Sequence, residues 1–138
     1  MILRMWEAFQ EVARNYPRLP LVQERRLIAL AQAGRKKSAD ELVLRHVGFV
    51  MWRLRRTVFR SHLERCGEDL LAAAIPVLYQ KVGTYNLRYR DREGVLKPVR
   101  FGSYVWKRID GLALDYLKKE RTPGGIAYID GCDRRNYD

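Results

Sequence analysis

Residues 101–121 read FGSYVWKRIDGLALDYLKKER, and their apolar side chains recur at the spacing of an α-helix. The positions that fall on one face are Val105, Ile109, Leu112 and Tyr116. At 3.6 residues per turn, these side chains form a stripe that can pack on a protein core. The following segment, TPGG at 122–125, cannot continue a helix. The pattern predicts a helix over residues 102–121 with one buried face.

The opposite face of this helix combines an aromatic ring with positive charge. It carries Tyr104, Lys107, Arg108, Gly111 and Lys118. Aromatic rings stack on unpaired bases and cations neutralise phosphates, so this face suits single-stranded nucleic acid. The glycine leaves room for close approach of DNA or of another helix. A core helix with a solvated basic face explains the same residues equally well, and the pattern alone leaves both interpretations open.

Helical spacing also dominates the chain before this segment. A first helix ends at Pro17, and a second one spans about residues 21–33 and stops at Gly34. Ser38 and Glu41 have the spacing of a capping box, which predicts the start of a long third helix. The core stripe of that third helix is Val43, Val47, Val50, Leu54 and Val58.

A fourth helix is predicted over residues 68–82, where Pro76 should kink or break it. The sequence therefore predicts an all-α fold, a compact bundle of about five helices. We divide it into an N-terminal helix at 1–18, a helical domain at 19–121 and a C-terminal tail at 122–138.

The chain is strongly basic, with 27 Lys and Arg against 16 Asp and Glu and a net charge of +11. Such a charge favours nucleic acid as a partner, because binding releases condensed counterions. A basic face for an acidic protein is the other interpretation. The same two interpretations apply to the arginines that end the third helix, which are Arg53, Arg55, Arg56, Arg60 and Arg65.

Several classes of protein are disfavoured. No apolar run approaches the roughly 20 residues of a membrane span, so we expect a cytoplasmic protein that does not bind membranes. Cys66 and Cys132 have no further ligands at zinc-site spacing, and we expect no metal or cofactor. The sequence has no paired carboxylates at suggestive spacing, no HExxH and no phosphate-binding glycine loop, so we do not expect an enzyme.

Residues 101–117 resemble the promoter-melting segment of bacterial sigma factors of the sigma-70 family, and their pattern is closest to the flagellar and sporulation branch. The positions in register are Phe101, Ser103, Tyr104, Arg108, Ile109, Gly111, Asp115 and Leu117. Residues 19–50 and the Asp69-Leu70-Leu71 run are also similar to region 2 of that family. The resemblance covers about residues 19–121, and the family's C-terminal helix-turn-helix domain has no counterpart in it.

The resemblance implies capture of the unpaired −10 non-template strand of a promoter. Tyr104 matches the aromatic residue on which a flipped adenine stacks, and Phe101 and Ser103 match positions that border its pocket. Lys107 and Arg108 stand where housekeeping members carry a tryptophan wedge. The resemblance also places His46 where the family has an asparagine near the downstream end of the −10 pocket.

The resemblance further implies that the fourth helix binds the clamp helices of RNA polymerase core, and an anti-sigma protein is a further partner of this kind. The predicted contact residues are Asp69, Leu70, Leu71, Ala72 and Ala73, where the two alanines replace the family's Gln-Glu pair.

Two departures lie in the fifth helix. Asp110 replaces a phosphate-binding arginine, and it is expected to remove that charge and repel the DNA backbone. Trp106 is an additional aromatic residue that we interpret as core packing, although base stacking is the alternative.

Two other functions fit the residues. One is a sigma-derived protein-interaction module that no longer touches promoter DNA, which the two alanines suggest. The other is a sequence-tolerant DNA or RNA binder, of phage or mobile-element origin, that acts through charge alone.

Overall fold

A computed structural model describes residues 2–120, with side chains from 6 to 119. Within this range the fold is all-α, as predicted. The helices are α1 (Ile2–Asn15), α2 (Leu21–Gln32), α3 (Lys36–Leu44), α4 (Val47–Thr57), α5 (Arg60–Thr84) and α6 (Phe101–Glu120). The predicted tail at 122–138, with Cys132 and the last predicted helical residue Arg121, lies outside the described residues.

The predicted long third helix is wrong, because the chain forms α3 and α4 with a break at His46. The His46 side chain turns inward, and its Nδ1 lies 2.8 Å from the Leu42 carbonyl oxygen. That carbonyl would accept the His46 backbone N–H in a continuous helix, but the N–H bonds instead to the Val43 carbonyl. The His46 side chain thus replaces the main-chain donor at the Leu42 carbonyl, and α3 ends before it.

The predicted capping box is also wrong. Helix α3 begins at Lys36, two residues before Ser38, and Arg35 at its N-cap makes no side-chain capping bond. The turn before it depends on Gly34, whose φ of +100° is a conformation that favours glycine. The stop that Gly34 predicts for α2 is confirmed.

Helix α5 is longer than the predicted fourth helix. It begins at Arg60 instead of Glu68 and continues without a break through Pro76 to Thr84. Pro76 is exposed, so its ring and its missing N–H lie on the solvent side while Leu71 and Leu78 fill the core. The early start places His62 in a buried position on this helix.

The core is built mainly from α4, α5 and α6, and Ile28 of α2 and Leu42 of α3 are also buried in it. The predicted α3–α4 stripe is buried at all five positions: Val43, Val47, Val50, Leu54 and Val58. On α6, Val105 and Ile109 are buried as predicted, whereas Leu112 and Tyr116 are only partly buried. Ala113 and Leu117 are buried instead, because α6 packs against both α4 and α5. No helix in residues 2–120 has the length and apolar character needed to cross a membrane.

Candidate nucleic-acid interface

Tyr104 lies in the first turn of α6, beside the C-terminal end of α5. Its hydroxyl lies 2.8 Å from the Thr84 hydroxyl and 3.1 Å from the Thr84 carbonyl oxygen. The Lys81 ammonium lies 5.0 Å from the centre of the tyrosine ring. The ring is half-buried, and hydrogen bonds and a cation–π contact therefore fix its orientation at the surface.

Two buried rings pack against the Tyr104 side chain on the core side. Tyr85 meets it edge-on at 5.4 Å, and Phe101 lies 6.4 Å away. His46 packs edge-on against Phe101 at 4.8 Å. The Tyr85 hydroxyl donates to the Val99 carbonyl and accepts from Arg25, so this ring is also held at its polar end. Edge-to-face contacts of this kind give the surface ring a rigid base.

Phe101 and His46 were both predicted to contact DNA, and both lie in the interior. Phe101 is 0% exposed and His46 is 5% exposed. The Phe101 side chain does not reach the surface, whereas His46 is nearly buried and lines the cleft beside α6. Their contacts make them supports for Tyr104, one directly and one through the Phe101 ring.

A buried carboxylate fixes the start of α6. Glu24 accepts the Phe101 backbone N–H at 2.8 Å, and its other oxygen lies 3.3 Å from His46 Nε2 and 3.2 Å from Arg100. Burial alone would raise the pKa of Glu24, but the hydrogen bonds from His46 and Phe101 and the charge of Arg100 outweigh it and hold the pKa below its ordinary value. Arg100 also donates to the Leu19 carbonyl at 2.7 Å. The Glu24 carboxylate therefore fixes the first turn of α6, which contains Phe101 and Tyr104.

The predicted basic face is present on α6. Lys107, Arg108 and Lys118 are exposed, and Gly111 lies between them. A Cβ added at Gly111 would have no neighbouring atom within 4 Å. Gly111 therefore serves no helix contact within the described chain and leaves the surface open. Asp115 is exposed on the same side, so the face carries one negative charge among its cations.

A cleft of about 500 Å³ opens beside this face, where α1, α4 and the start of α6 meet. Ser103 lines it, as do Phe49 and Trp52. The cations that line it are Arg18, Arg45 and Arg100. Gly102 forms part of the wall, and a Cβ there would lie 3.1 Å from the Phe49 ring. The cleft thus combines aromatic rings with positive charge next to the predicted base-binding residues.

Asp110 is not part of the exposed basic face of α6, so its carboxylate is not placed to repel a phosphate there, contrary to the expectation. It is buried and forms a two-pronged ion pair with Arg53, at 2.9 Å and 2.8 Å. Burial raises the pKa of the Asp110 carboxyl, and the hydrogen bonds and charge of Arg53 only partly offset this. Trp106 is partly buried and lies 4.7 Å from the Arg53 guanidinium, so it covers this ion pair rather than filling the apolar core.

The predicted polymerase-binding run is divided by burial. Asp69 and Ala72 are exposed and Ala73 is half-buried, but Leu70 and Leu71 are fully buried in the core. The two leucines therefore cannot offer their side chains to a partner as placed, because helix periodicity turns them inward. Asp69 accepts a hydrogen bond of 3.0 Å from the Tyr116 hydroxyl, which ties this run to α6.

The structure adds residues that sequence reasoning missed. Lys81 and Thr84 are one turn apart on α5 and both contact Tyr104, but their spacing alone does not indicate which helix they face. Glu24 gives no signal either, since a carboxylate on a helix is usually exposed. No group of residues suited to a metal ion occurs in the described part of the chain. Comparison with family models, curated proteins and solved structures finds no match, so the function must be inferred from the chain's own residues.

Proposed function

We propose that this chain is a sigma-like promoter-recognition module that binds RNA polymerase core and holds an unpaired base of the −10 non-template strand on Tyr104. The observation that carries the proposal is the surface ring of Tyr104, which packs on the buried rings of Tyr85 and Phe101. Extruding a base from a duplex costs a few kcal/mol, and stacking on one aromatic ring returns about 1–3 kcal/mol. A ring that is already oriented returns more of this energy, because it loses less freedom on binding.

The charges around Tyr104 support the same proposal. Lys107 and Arg108 are exposed on the same helix and can neutralise phosphates on either side of the stacked base. Lys81 occupies a position over the ring, 5.0 Å from its centre. A stacking base replaces that cation–π contact, and the released ammonium becomes available to a phosphate.

The polymerase half of the proposal depends on the exposed part of the α5 run. Asp69, Ala72 and Ala73 are accessible, whereas Leu70 and Leu71 hold the helix on the core. The methyl groups of Ala72 and Ala73 are less polar than the Gln-Glu pair that they replace, whereas the Asp69 carboxylate is retained.

Fluorescence anisotropy with a labelled A/T-rich single strand tests the DNA half. The comparison strands are its complement and the corresponding duplex. Tyr104→Ala should weaken binding of the non-template strand about 5- to 150-fold, which corresponds to the loss of one stack. Tyr104→Phe keeps the ring and removes only the contact with Thr84, so it should bind within about threefold of the unmodified chain. Equal affinities for the strand and the duplex, unchanged by Tyr104→Ala, would reject the proposal.

A pull-down with RNA polymerase core, with and without the −10-type strand, tests the polymerase half. Binding to core that increases with the strand supports promoter recognition. Failure to bind core rejects both this function and an interaction module that targets polymerase.

A sequence-tolerant single-strand binder is the second candidate, and the net charge of +11 favours it. It differs in two measurable ways. The two complementary strands should bind equally well, and log affinity should fall steeply with log salt while Tyr104→Ala changes little.

A further inference from the structure

Trp52 on α4 is an exposed aromatic residue outside the Tyr104 contacts. Its side chain is 46% exposed, so the ring is available to a partner. The Arg56 guanidinium lies 5.2 Å from its ring and the Arg53 guanidinium lies 5.9 Å from it. The ring of Phe49 is 5.9 Å away and tilted by 37°. Trp52 is therefore presented to solvent between two cations and rests against a second ring.

A second tryptophan continues the arrangement on α6. The Arg53 guanidinium, which contacts Trp52, also lies 4.7 Å from the centre of the Trp106 ring. The Lys107 ammonium lies 5.5 Å from the centre of the same ring. Rings and cations thus alternate from α4 to α6. We call the set of Trp52, Arg56, Trp106 and Lys107 the tryptophan surface.

The two kinds of cation in this arrangement have different roles. Arg53 is paired with the buried Asp110 carboxylate, so it acts as a spacer between the rings. Among the side chains described for residues 6–119, no carboxylate forms an ion pair with Arg56 or Lys107, which lie at the two ends. The outer cations therefore keep their full charge for an external anion.

The tryptophan surface is continuous with Tyr104 around α6. At about 100° per residue, Lys107 lies about 60° from Tyr104, Ser103 about 100° and Trp106 about 160°, all in the same direction. Ser103 and Trp52 line the same cleft, so Trp52 faces the same opening as the residue that precedes Tyr104. A strand that leaves Tyr104 can pass the exposed Lys107 and Ser103 and reach Trp52 along the cleft.

We propose that the tryptophan surface stacks nucleotides of the same DNA single strand that lie beyond the base held by Tyr104. This inference rests on the proposed function and extends it to a longer strand. Two neighbouring rings flanked by cations that pair with no carboxylate suit bases and the phosphates beside them. An acidic protein would need the cations but has little use for the exposed ring faces.

Anisotropy with two labelled strands tests the inference. One strand has about four nucleotides and spans only the Tyr104 site, and the other has about twelve and can reach the tryptophans. Trp52→Ala should weaken binding of the long strand fivefold or more and leave the short strand unchanged. Trp52→Phe keeps a ring and should retain most of the affinity. Tyr79→Ala is the control, because Tyr79 is 38% exposed and contacts Asp40 on α3 instead.

Equal binding of the long strand by Trp52→Ala and the unmodified chain overturns the inference. So does an equal loss for both strand lengths, since that indicates a general effect on the fold. Failure of the proposed function gives a different result. Tyr104→Ala then changes the affinity for neither strand, while Trp52→Ala still weakens binding of the long strand.

Tryptophan emission gives an independent measurement. A chain with Trp6→Phe and Trp106→Phe keeps Trp52 as its one tryptophan, because the sequence contains three. Stacking on bases should quench this emission with the long strand and not with the short one. Unchanged emission while the long strand is bound would overturn the inference.

Discussion

Removing the Glu24 carboxylate should destabilise the fold and disorder the start of α6. Glu24 is 2% exposed and makes three contacts, with the Phe101 N–H, His46 and Arg100. Glu24→Ala leaves a buried amide and two nitrogen-rich side chains without their acceptor. Removing one partner of a buried charge network costs about 3–5 kcal/mol. Glu24→Gln keeps an oxygen for Phe101 and should cost less, about 1.5–3 kcal/mol.

Urea denaturation followed by far-UV circular dichroism measures these costs. With a slope of about 2 kcal/mol per molar urea, a loss of about 4 kcal/mol lowers the midpoint by roughly 2 M. The matched control is Glu64→Gln, whose carboxylate is 61% exposed and pairs with the exposed Arg60. That control should stay within about 0.5 kcal/mol, because surface ion pairs contribute little.

The pH dependence of stability follows from the lowered pKa of Glu24. The folded state favours the ionised carboxyl, so its contribution is fully present above the ordinary pKa of about 4.3. It is lost as the pH falls below that value through the lowered folded pKa. The gap in unfolding free energy between the unmodified chain and Glu24→Gln should narrow over this range. A Glu24→Ala variant within about 0.5 kcal/mol of the unmodified chain, or a constant gap as the pH falls, would refute this reasoning.

Three further outcomes are expected. Asp110→Ala should cost about 3–5 kcal/mol, because it leaves Arg53 without its partner. In a urea double-mutant cycle of Asp110→Leu and Arg53→Met, the double variant should recover most of the cost of the single variants, and additive costs would contradict this. Gly111→Ala should raise the unfolding free energy by about 0.5–1 kcal/mol and weaken single-strand binding, since Gly111 leaves open space beside the cations; unchanged binding would show that this part of the surface stays clear of DNA. Lys107→Ala should reduce the slope of log affinity against log salt by about 0.7, while Tyr104→Phe leaves the slope unchanged; an equal effect of both variants would exclude a phosphate contact by Lys107.

The sequence predicted the helices well where apolar spacing was regular. The stripe from Val43 to Val58 is buried as expected, although a histidine side chain divides its helix. Periodicity could not reveal that break, because it depends on a side-chain donor that replaces a backbone N–H. The start of α5 at Arg60 was also missed, since the residues before Glu68 are polar and their helical face is short.

The candidate site was predictable on one helix and not between helices. The exposure of Lys107, Arg108 and Lys118 follows from spacing alone. The interior positions of Phe101 and His46 do not, because they depend on a carboxylate that comes from another helix. A pairwise contact between distant residues leaves no mark in the local pattern of a single sequence.

The link between Glu24 and Phe101 also makes the surface depend on contacts between distant parts of the chain. It joins positions 77 apart, and the Arg100 bond to Leu19 spans 81. Forming contacts across such distances requires closing a large loop, which costs chain entropy. A peptide that contains α6 alone carries the same aromatic and basic residues but lacks the anchor at its first turn. The surface around Tyr104 is therefore a property of the folded chain as a whole, and it should appear and disappear with global unfolding rather than by local fraying.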